Sequence, residues 1–261
     1  MKKHRFSLVD RLRVVTQSAL VGLAALIGAR PRLGLCPANS ECPFDAACPF
    51  GGVETLCPLA LKGTFLRRTN VNNLILLGGL LVSAVLSGRA FCGWACPLGT
   101  VQRWIAALAR RLSGGRKAWL PLRPPRWLDR PLRWLKYGVL AWVIWQSLSA
   151  VLPPLIPFCP YRTLFTLNIG SILGLSVLVG FVLLSLMVER FWCRYLCPLG
   201  ALLAPFNKIS LWRVRLAPTT CVSCGQCERI CPMGLDVLKE VERGSECIRC
   251  RQCVSVCPKT D

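Results

Sequence analysis

The spacing of the last eight cysteines constrains this chain more than any other feature of its sequence. Residues 221–232 read CVSCGQCERICP and residues 247–258 read CIRCRQCVSVCP, so the pattern C-x2-C-x2-C-x3-C-P occurs twice. In such runs three thiolates bind one [4Fe–4S] cluster and the fourth binds the neighbouring cluster. We therefore expect one cluster on Cys221, Cys224, Cys227 and Cys257, and a second on Cys247, Cys250, Cys253 and Cys231.

Zinc is the main alternative for these runs, because paired C-x2-C motifs also form zinc ribbons. Zinc sites rarely carry four cysteines at this spacing twice, with each run ending in proline. Across the chain, nine of the 17 cysteines directly precede proline, a bias that a disulfide scaffold does not explain. The single histidine, His4, lies in the charged N-terminus and no C-x2-C-H motif is present, so the sequence excludes bis-His and c-type haem.

Hydropathy and charge predict a membrane protein. The mean hydropathy is +0.47 and 53% of the residues are apolar, which is high for a water-soluble domain. The formal net charge of +21 belongs entirely to residues 1–217, because six basic and six acidic residues balance in residues 218–261. The basic residues flank apolar runs, where they orient helices and meet anionic lipid. We expect no nucleic-acid partner.

Four apolar runs predict transmembrane helices, at residues 14–28, 74–88, 135–152 and 169–188. A signal peptide is the alternative for the first run, but no A-x-A cleavage site follows it. Lysine and arginine cluster before the first helix, between the second and third, and after the fourth. This distribution predicts a bacterial cytoplasmic-membrane protein with both termini in the cytoplasm.

The segment between the second and third helices predicts an interfacial region. Residues 103–112 have an apolar face beside three arginines, and four tryptophans suit the headgroup layer. We expect prolines to prevent one continuous helix here. The tryptophans are Trp104, Trp119, Trp127 and Trp134, and the prolines are Pro121, Pro124, Pro125 and Pro131.

An internal repeat links the two halves of the apolar region. FCGWACPLGT (91–100) resembles WCRYLCPLGA (192–201), and CPFGGVETL (48–56) resembles CPYRTLFTL (159–167). The repeated unit is a helix, an external Cys-Pro turn, a second helix and a C-x3-C-P motif. Two units of equal orientation can pack about an axis along the membrane normal. The predicted fold is therefore an all-α membrane domain of four transmembrane helices in a 2+2 pseudo-repeat (1–217), followed by a small α+β two-cluster ferredoxin-type domain (218–261).

The repeat would bring four cysteines together near the cytoplasmic surface, which predicts a third cluster. The alternative is buried cysteines at helix ends, which are common in apolar proteins. These four residues, called the quartet below, are Cys92, Cys96, Cys193 and Cys197.

The predicted external segments carry five further cysteines and one acidic residue. The cysteines could bind another cluster, form disulfides in an oxidising compartment, or belong to a docking surface for a periplasmic partner. Glu54 could accept a proton from a quinol or pair with an arginine. The five cysteines are Cys36, Cys42, Cys48, Cys57 and Cys159.

The two C-x3-C-P motifs and the C-terminal cysteine runs resemble one membrane family. It includes the NapH quinol dehydrogenase subunit, the membrane portion of NosR and the CcoG-type oxidase assembly proteins. The resemblance covers residues 70–261 and implies four helices that carry electrons between the quinone pool or cytoplasmic donors and periplasmic acceptors. The cysteine-dense segment 36–57 departs from the nitrate subunit, and no flavin-binding domain like that of NosR is found.

These features predict an electron-transfer subunit of a larger membrane complex, with iron bound through the cysteines above. Its partners would be a periplasmic redox protein, a cytoplasmic electron donor, and membrane lipid and quinone. A maturation factor that reduces or handles metal for another respiratory enzyme is the first alternative. A membrane anchor whose clusters only stabilise its fold is the second.

Overall fold

The structure, a computed structural model, describes residues 8–30, 50–63, 71–114, 121–149, 158–166, 172–216 and 221–257. All regular structure within these ranges is helical. The long helices are α1 (Leu8–Ala29), α2 (Gly51–Lys62), α3 (Val71–Ser87), α5 (Pro97–Leu112), α6 (Arg126–Ser149) and α8 (Ile172–Met187). The short ones are α4 (Ala90–Trp94), α7 (Pro160–Thr166), a π-helical turn (Trp192–Leu196), α9 (Pro198–Leu203), α10 (Phe206–Ile209), α11 (Gln226–Ile230), α12 (Val237–Glu240) and α13 (Gln252–Ser255).

The helix contacts reproduce the internal repeat. The first unit contains α1 to α5, and the second contains α6, α7, α8, the π-helical turn and α9. The first helix of each unit packs on the second helix of the other, because α1 contacts α7 and α6 contacts α2. Each first helix also contacts the C-x3-C-P region of its own unit, α1 through α4 and α5, and α6 through the π-helical turn and α9. The two units therefore interlock.

The long helix α1 carries its polar residues inward and its apolar residues outward. Asp10, Arg13 and Gln17 are buried, whereas Val15 and Leu26 are both 64% exposed. This is the reverse of a helix on the surface of a water-soluble protein, which buries its apolar stripe. Such an outward apolar face matches a hydrocarbon surrounding.

By length and composition, one helix in the described ranges is long and apolar enough to cross a membrane. That helix is α1, with 22 residues and a mean hydropathy of 1.6. Residues 72–87 and α8 are apolar but shorter. The described residues of the four predicted apolar runs fall mainly on α1, α3, α6 and α8, and the four-span topology stays a prediction.

Several expectations about local structure are wrong or confirmed only in part. Of the prolines expected to prevent one continuous helix between the second and third apolar runs, Pro121, Pro124 and Pro125 lie in a non-helical segment, whereas Pro131 lies inside the helix that begins at Arg126. Cys57, expected in a loop, lies within α2. In the C-terminal domain, predicted as α+β, residues 221–257 form only short helices and turns. The segment between the two cysteine runs contains α12 (Val237–Glu240) and turns in place of strands.

Buried charges also change the interpretation of the basic residues. Arg190 and Arg194 follow the fourth apolar run, where the sequence predicts basic residues at the cytoplasmic surface. They are only 1% and 5% exposed. Arg194 pairs with Asp129 of α6, at 2.6 Å between Nη2 and Oδ1. These two side chains therefore hold protein segments together and do not face lipid headgroups.

Candidate iron–sulfur sites

The two C-x3-C-P motifs form equivalent wide turns. The amide of Cys96 donates to the carbonyl of Phe91 at 2.9 Å, and that of Cys197 donates to Trp192 at 2.8 Å. Each bond spans five residues, the spacing of a π-turn, which is frequent at functional sites. The proline after each second cysteine then begins a new helix, α5 or α9, where its fixed φ and missing N–H are tolerated.

These turns bring the quartet together. Cys96 interacts electrostatically with both Cys92 and Cys193, and so does Cys197. Burial, reinforced by the neighbouring thiols, raises the pKa of Cys96 and of Cys197 above that of an ordinary cysteine. Without a metal these two thiols are neutral at pH 7, so metal binding there would displace protons.

Hydrogen-bond donors surround the quartet sulfurs. The amide of Gly200 lies 3.4 Å from Cys197 Sγ, and Gln102 Nε2 lies 3.5 Å from Cys193 Sγ. The amide of Gly99 points to the sulfur of Cys96. Amide donors to sulfur stabilise thiolate ligands and are one means by which proteins set cluster potentials.

In the C-terminal domain, the four cysteines expected to hold the second cluster surround one small cavity. The cavity has a volume of about 20 Å³, and Cys231, Cys247, Cys250 and Cys253 all line it. Burial raises the pKa of Cys247 to about 11 and that of Cys253 to about 12, with the other thiols adding to the effect. Backbone amides of Met233, Gly234 and Leu235 point to the sulfur of Cys231.

Both C-terminal cysteine runs use the same backbone conformation. The left-handed region is occupied at equivalent positions, Ser223 (φ 50°) and Arg249 (φ 51°), and again at Gly225 (φ 66°) and Arg251 (φ 59°). Three of these residues carry a Cβ, for which this region is unfavourable by about 1–2 kcal/mol each. Positive φ at alternate positions suits a backbone that turns its amides toward a bound anion.

The cysteines of the first cluster are more open to solvent. Cys221 and Cys224 are exposed, and Cys227 and Cys257 are partly buried. Cys227 interacts electrostatically with Cys221, and helices α11 and α13, one within each run, contact each other. This set lies at the outer side of the domain.

The four cysteines expected to hold the second cluster, called the inner cysteine set below, lie against the quartet. Cys92 and Ile248 share one hydrophobic cluster, on which Cys231, Cys247 and Cys250 also pack. The approach is close, since a Cβ added to Gly93 would stand 2.3 Å from the carbonyl oxygen of Ile248.

Three side chains donate hydrogen bonds to backbone carbonyls at or beside the contact between Gly93 and Ile248. Trp94 Nε1 donates to Arg249 at 3.1 Å, and Arg13 Nη1 donates to Cys250 at 2.5 Å. Gln17 Nε2 donates to Gly93 at 2.6 Å.

A large apolar cavity reaches the quartet from the other side. Its volume is about 840 Å³, and Cys96 and Cys197 are among the residues that line it. It follows α3 from Asn72 to Ser83, a length of about 16 Å at the helical rise. Leu23 and Ile75, on its α1 and α3 walls, are 51% and 66% exposed, so the cavity is open between these helices.

Comparison with known families matches most of these segments. The family described as "4Fe-4S binding domain" matches residues 69–116 and again residues 171–217, so each copy contains one C-x3-C-P motif. The family described as "4Fe-4S dicluster domain" matches residues 213–258. The match to the dicluster family covers both C-terminal cysteine runs.

Individual relatives extend the similarity across the chain. MJ0750 of Methanocaldococcus jannaschii is 32% identical over 72% of this chain and 77% of its own length. The ferredoxin-type protein NapH of Haemophilus influenzae is 30% identical over 67% of this chain. The chain belongs to the NapH/NosR-like family of ferredoxin-type electron-transfer proteins.

The similarity to longer relatives is partial. YccM of Escherichia coli is 34% identical over 74% of this chain, which spans 57% of YccM and 59% of the Haemophilus NapH. No solved structure matches the chain. As a member of this NapH/NosR-like family, the protein is an iron–sulfur electron-transfer protein with [4Fe–4S]-binding domains.

The cysteine sites of this NapH/NosR-like protein offer the ligand type that iron–sulfur clusters use. Cys231, Cys247, Cys250 and Cys253 line one cavity, and backbone amides point to the sulfur of Cys231. Soft thiolates with amide donors to sulfur are typical of [4Fe–4S] ligation. Among the described residues, no three Cys, His, Asp or Glu side chains are grouped as for a single metal ion, and the assignment of one cluster to each cysteine set stays a prediction.

Two site residues escaped the sequence reasoning. Arg89 and Arg190 each stand three residues before the first cysteine of a C-x3-C-P motif, and they are 0% and 1% exposed. Both arginines belong to the shared pattern R-x2-C-x3-C-P-L-G. This pattern could have identified them, but a basic residue next to an apolar run is also expected from membrane orientation.

Half of the six residues expected on the external side lie outside the described part of the chain. Cys36, Cys42 and Cys48 fall in that category, and for Cys57 only the backbone is described. Cys159 is partly buried and lines the large cavity. Glu54 is 6% exposed in the first turn of α2 and is not among the residues that line the cavity, so its role with a quinol stays a prediction.

Proposed function

We propose that this protein is a membrane subunit that transfers electrons between its C-terminal domain and a lipid-soluble quinone, and onward to or from a periplasmic redox protein. Cys221, Cys224, Cys227 and Cys257 would hold one [4Fe–4S] cluster, Cys231, Cys247, Cys250 and Cys253 a second, and the quartet a third. When bound, the clusters supply one-electron chemistry. The chain itself holds their ligands, excludes water and sets the local charge.

The contact between the inner cysteine set and the quartet carries this proposal. Cys92 packs in the same hydrophobic cluster as Ile248, and Cys247 and Cys250 lie on either side of Ile248 in the chain. The two sites are thus joined by packed side chains and by the hydrogen bond from Trp94 to Arg249. A mere membrane anchor would not require its metal sites to be adjacent.

The large cavity supports a lipid-soluble carrier on the other side of the quartet. Its walls are mainly Leu, Ile, Phe and Ala side chains, with few polar groups, as is usual for sites that bind apolar ligands. An opening between α1 and α3 lets an isoprenoid tail lie along exposed apolar side chains while the ring reaches Cys96 and Cys197. Cys159 lines the same cavity, which supports a role on the external side.

A location in the membrane is supported by the outward face of the long helices. In addition to α1, the helix α8 exposes Ile172 (91%) and Leu183 (55%), and α3 exposes Val82 (62%). Three helices with large exposed aliphatic side chains require an apolar surrounding. The cytoplasmic position of the C-terminal domain rests on the distribution of lysine and arginine.

Stopped-flow oxidation of the full chain in nanodiscs tests the proposal. The protein is reduced anaerobically, freed of excess dithionite and mixed with a short-chain benzoquinone, while cluster absorbance is recorded. We expect Cys193→Ser to keep the C-terminal clusters but to slow their oxidation by the quinone at least tenfold. Oxidation by ferricyanide, which reaches the exposed cluster directly, should stay unchanged. An unaltered quinone rate would refute the proposed route.

The same preparation distinguishes electron transfer to quinone from the maturation hypothesis. A metal-handling protein would bind Cu(I) through thiols outside the clusters, and Cys193→Ser would leave the quinone reaction untouched. Electron transfer to quinone that depends on Cys193, without stoichiometric Cu(I) binding, favours the respiratory role.

A further inference from the structure

We propose that Arg89 and Arg190 are a matched pair of buried cations that compensates the negative charge of the quartet cluster and raises its reduction potential. The inference rests on the proposed assignment of a cluster to the quartet. The two side chains act on the centre as positioning residues, through charge and hydrogen bonding, and not as ligands.

The two arginines reach across the pseudo-repeat. Arg190 precedes the second motif but donates from Nη1 to the carbonyl of Cys92 in the first, at 2.8 Å. The same nitrogen lies 3.1 Å from the position that a Cβ on Gly99 would take. Arg89 precedes the first motif, and its Nη2 lies 2.9 Å from the Cβ position of Gly200 in the second.

This crossed arrangement explains the glycine in each C-P-L-G sequence. Because the guanidinium of the opposite unit lies against its α-carbon, a side chain at Gly99 or Gly200 would displace an arginine from the quartet.

Several donors of this pair have no partner. Arg89 Nε and Nη2 and Arg190 Nε are buried, and they find no hydrogen-bond acceptor among the described residues. Arginine has five donors and no acceptor, and buried donors without partners are unfavourable. Their position beside the quartet, which interacts with Arg89 through Cys92 and Cys197, points to an anionic acceptor at that place.

A cubane with four thiolate ligands is such an acceptor. Its net charge is negative and becomes more negative by one unit when one electron is added, and no bond forms or breaks in that step. Charges in a buried site interact more strongly than in water, and net charge is among the factors that set cluster potentials. Two fixed cations therefore favour the reduced state.

The remaining charges near the pair do not cancel this effect. Arg89 Nη1 donates to Glu246 Oε2 at 2.9 Å, and Lys136 bonds the same carboxylate. Two cations thus share one anion. Arg190 forms no ion pair within the part of the chain that the structure describes, so its charge is available to the quartet.

Potentiometric titration monitored by EPR on the full detergent-solubilised chain tests the inference. The quartet signal is identified as the one that Cys193→Ser removes. We expect Arg89→Gln and Arg190→Gln each to lower the reduction equilibrium constant of that signal at least tenfold, about 59 mV for one electron. Arg110→Gln is the control, because Arg110 is a partly exposed surface residue paired with Glu189, and it should leave the potential unchanged.

A charge-conserving variant keeps the test decisive if the glutamine variants lose iron. Arg190→Lys should retain the cluster, with an equilibrium constant within tenfold of the wild-type value. Loss of the cluster in Arg190→Lys, or an unshifted potential in iron-replete Arg190→Gln, would overturn the inference. If Cys193→Ser removes no signal from the wild-type spectrum, it is the proposed function that fails.

Discussion

At the residue scale, Glu246 is a buried carboxylate that links the C-terminal cysteine-rich segment to Lys136 of α6 and to Arg89, just before α4. It accepts hydrogen bonds from Arg89 and Lys136, which are both 0% exposed. Burial opposes its ionisation, but the two cations outweigh that effect and hold the pKa of Glu246 below its ordinary value. The carboxylate is therefore charged at neutral pH.

Glu246→Gln should destabilise the protein by about 3 kcal/mol, because it leaves two buried cations without a counter-charge. Denaturant titration followed by tryptophan fluorescence measures the loss. In the wild-type protein this contribution is complete above the ordinary glutamate pKa of 4.5 and is lost as the pH falls through the lowered value.

The matched control is Glu242→Gln, in the same segment. Glu242 forms an exposed pair with Arg215 at 3.5 Å, and its loss should change stability by less than about 0.5 kcal/mol. Equal effects of the two substitutions would show that the buried group of Glu246, Arg89 and Lys136 does not stabilise the protein.

Cysteine and arginine differ in how well the sequence predicts their roles. The eight C-terminal cysteines and the quartet stand out because cluster ligands need fixed spacings, and those spacings are local. Arg89 and Arg190 do not stand out, because a basic residue at the end of an apolar run also suits lipid headgroups. Their burial, and the packing of the opposite unit's glycine against each guanidinium, show that they are interior residues.

At the element scale, hydropathy finds the apolar cores of the helices but not their ends. Helix α6 begins nine residues before the apolar run at 135, because its charged half is satisfied inside the protein. Asp129 accepts from Tyr195 Oη and Arg194 Nη2, both at 2.6 Å. Such partners come from distant segments, so no local pattern predicts where this helix starts.

Helix α3 offers a direct test of the large cavity. Gly79 lines the cavity and Gly78 does not, and a Cβ at either position would have no neighbour within 4 Å. Gly79→Phe should fill part of the cavity and raise the KM for a short-chain quinone at least tenfold, with cluster content unchanged. Quinone-driven cluster oxidation in nanodiscs gives the measurement.

Gly78→Phe is the control, since it adds the same side chain to the same helix on a neighbouring face. It should leave the quinone KM within twofold of wild type. If both variants behave like wild type, the quinone does not use this cavity.

At the scale of the whole molecule, the internal repeat could be predicted from two pairs of short motifs. It reappears as paired helix contacts, α1 with α7 and α6 with α2, and as two matches to one cluster-binding family. The docking of the C-terminal domain on the first motif could not be predicted, because it depends on single contacts such as that between Gly93 and Ile248. The C-terminal cysteine-rich segment thus packs directly on the first C-x3-C-P motif.

Electron transfer through this protein requires that the quartet hold a cluster of its own, next to those of the C-terminal domain. The decisive measurement is iron and acid-labile sulfide per chain, on anaerobically purified wild-type protein and on Cys193→Ser. We expect the wild-type chain to carry about four more irons than the variant, which keeps the roughly eight irons of its C-terminal cysteines. Equal iron content in the two proteins, or zinc in place of iron, would rule out a cluster at the quartet.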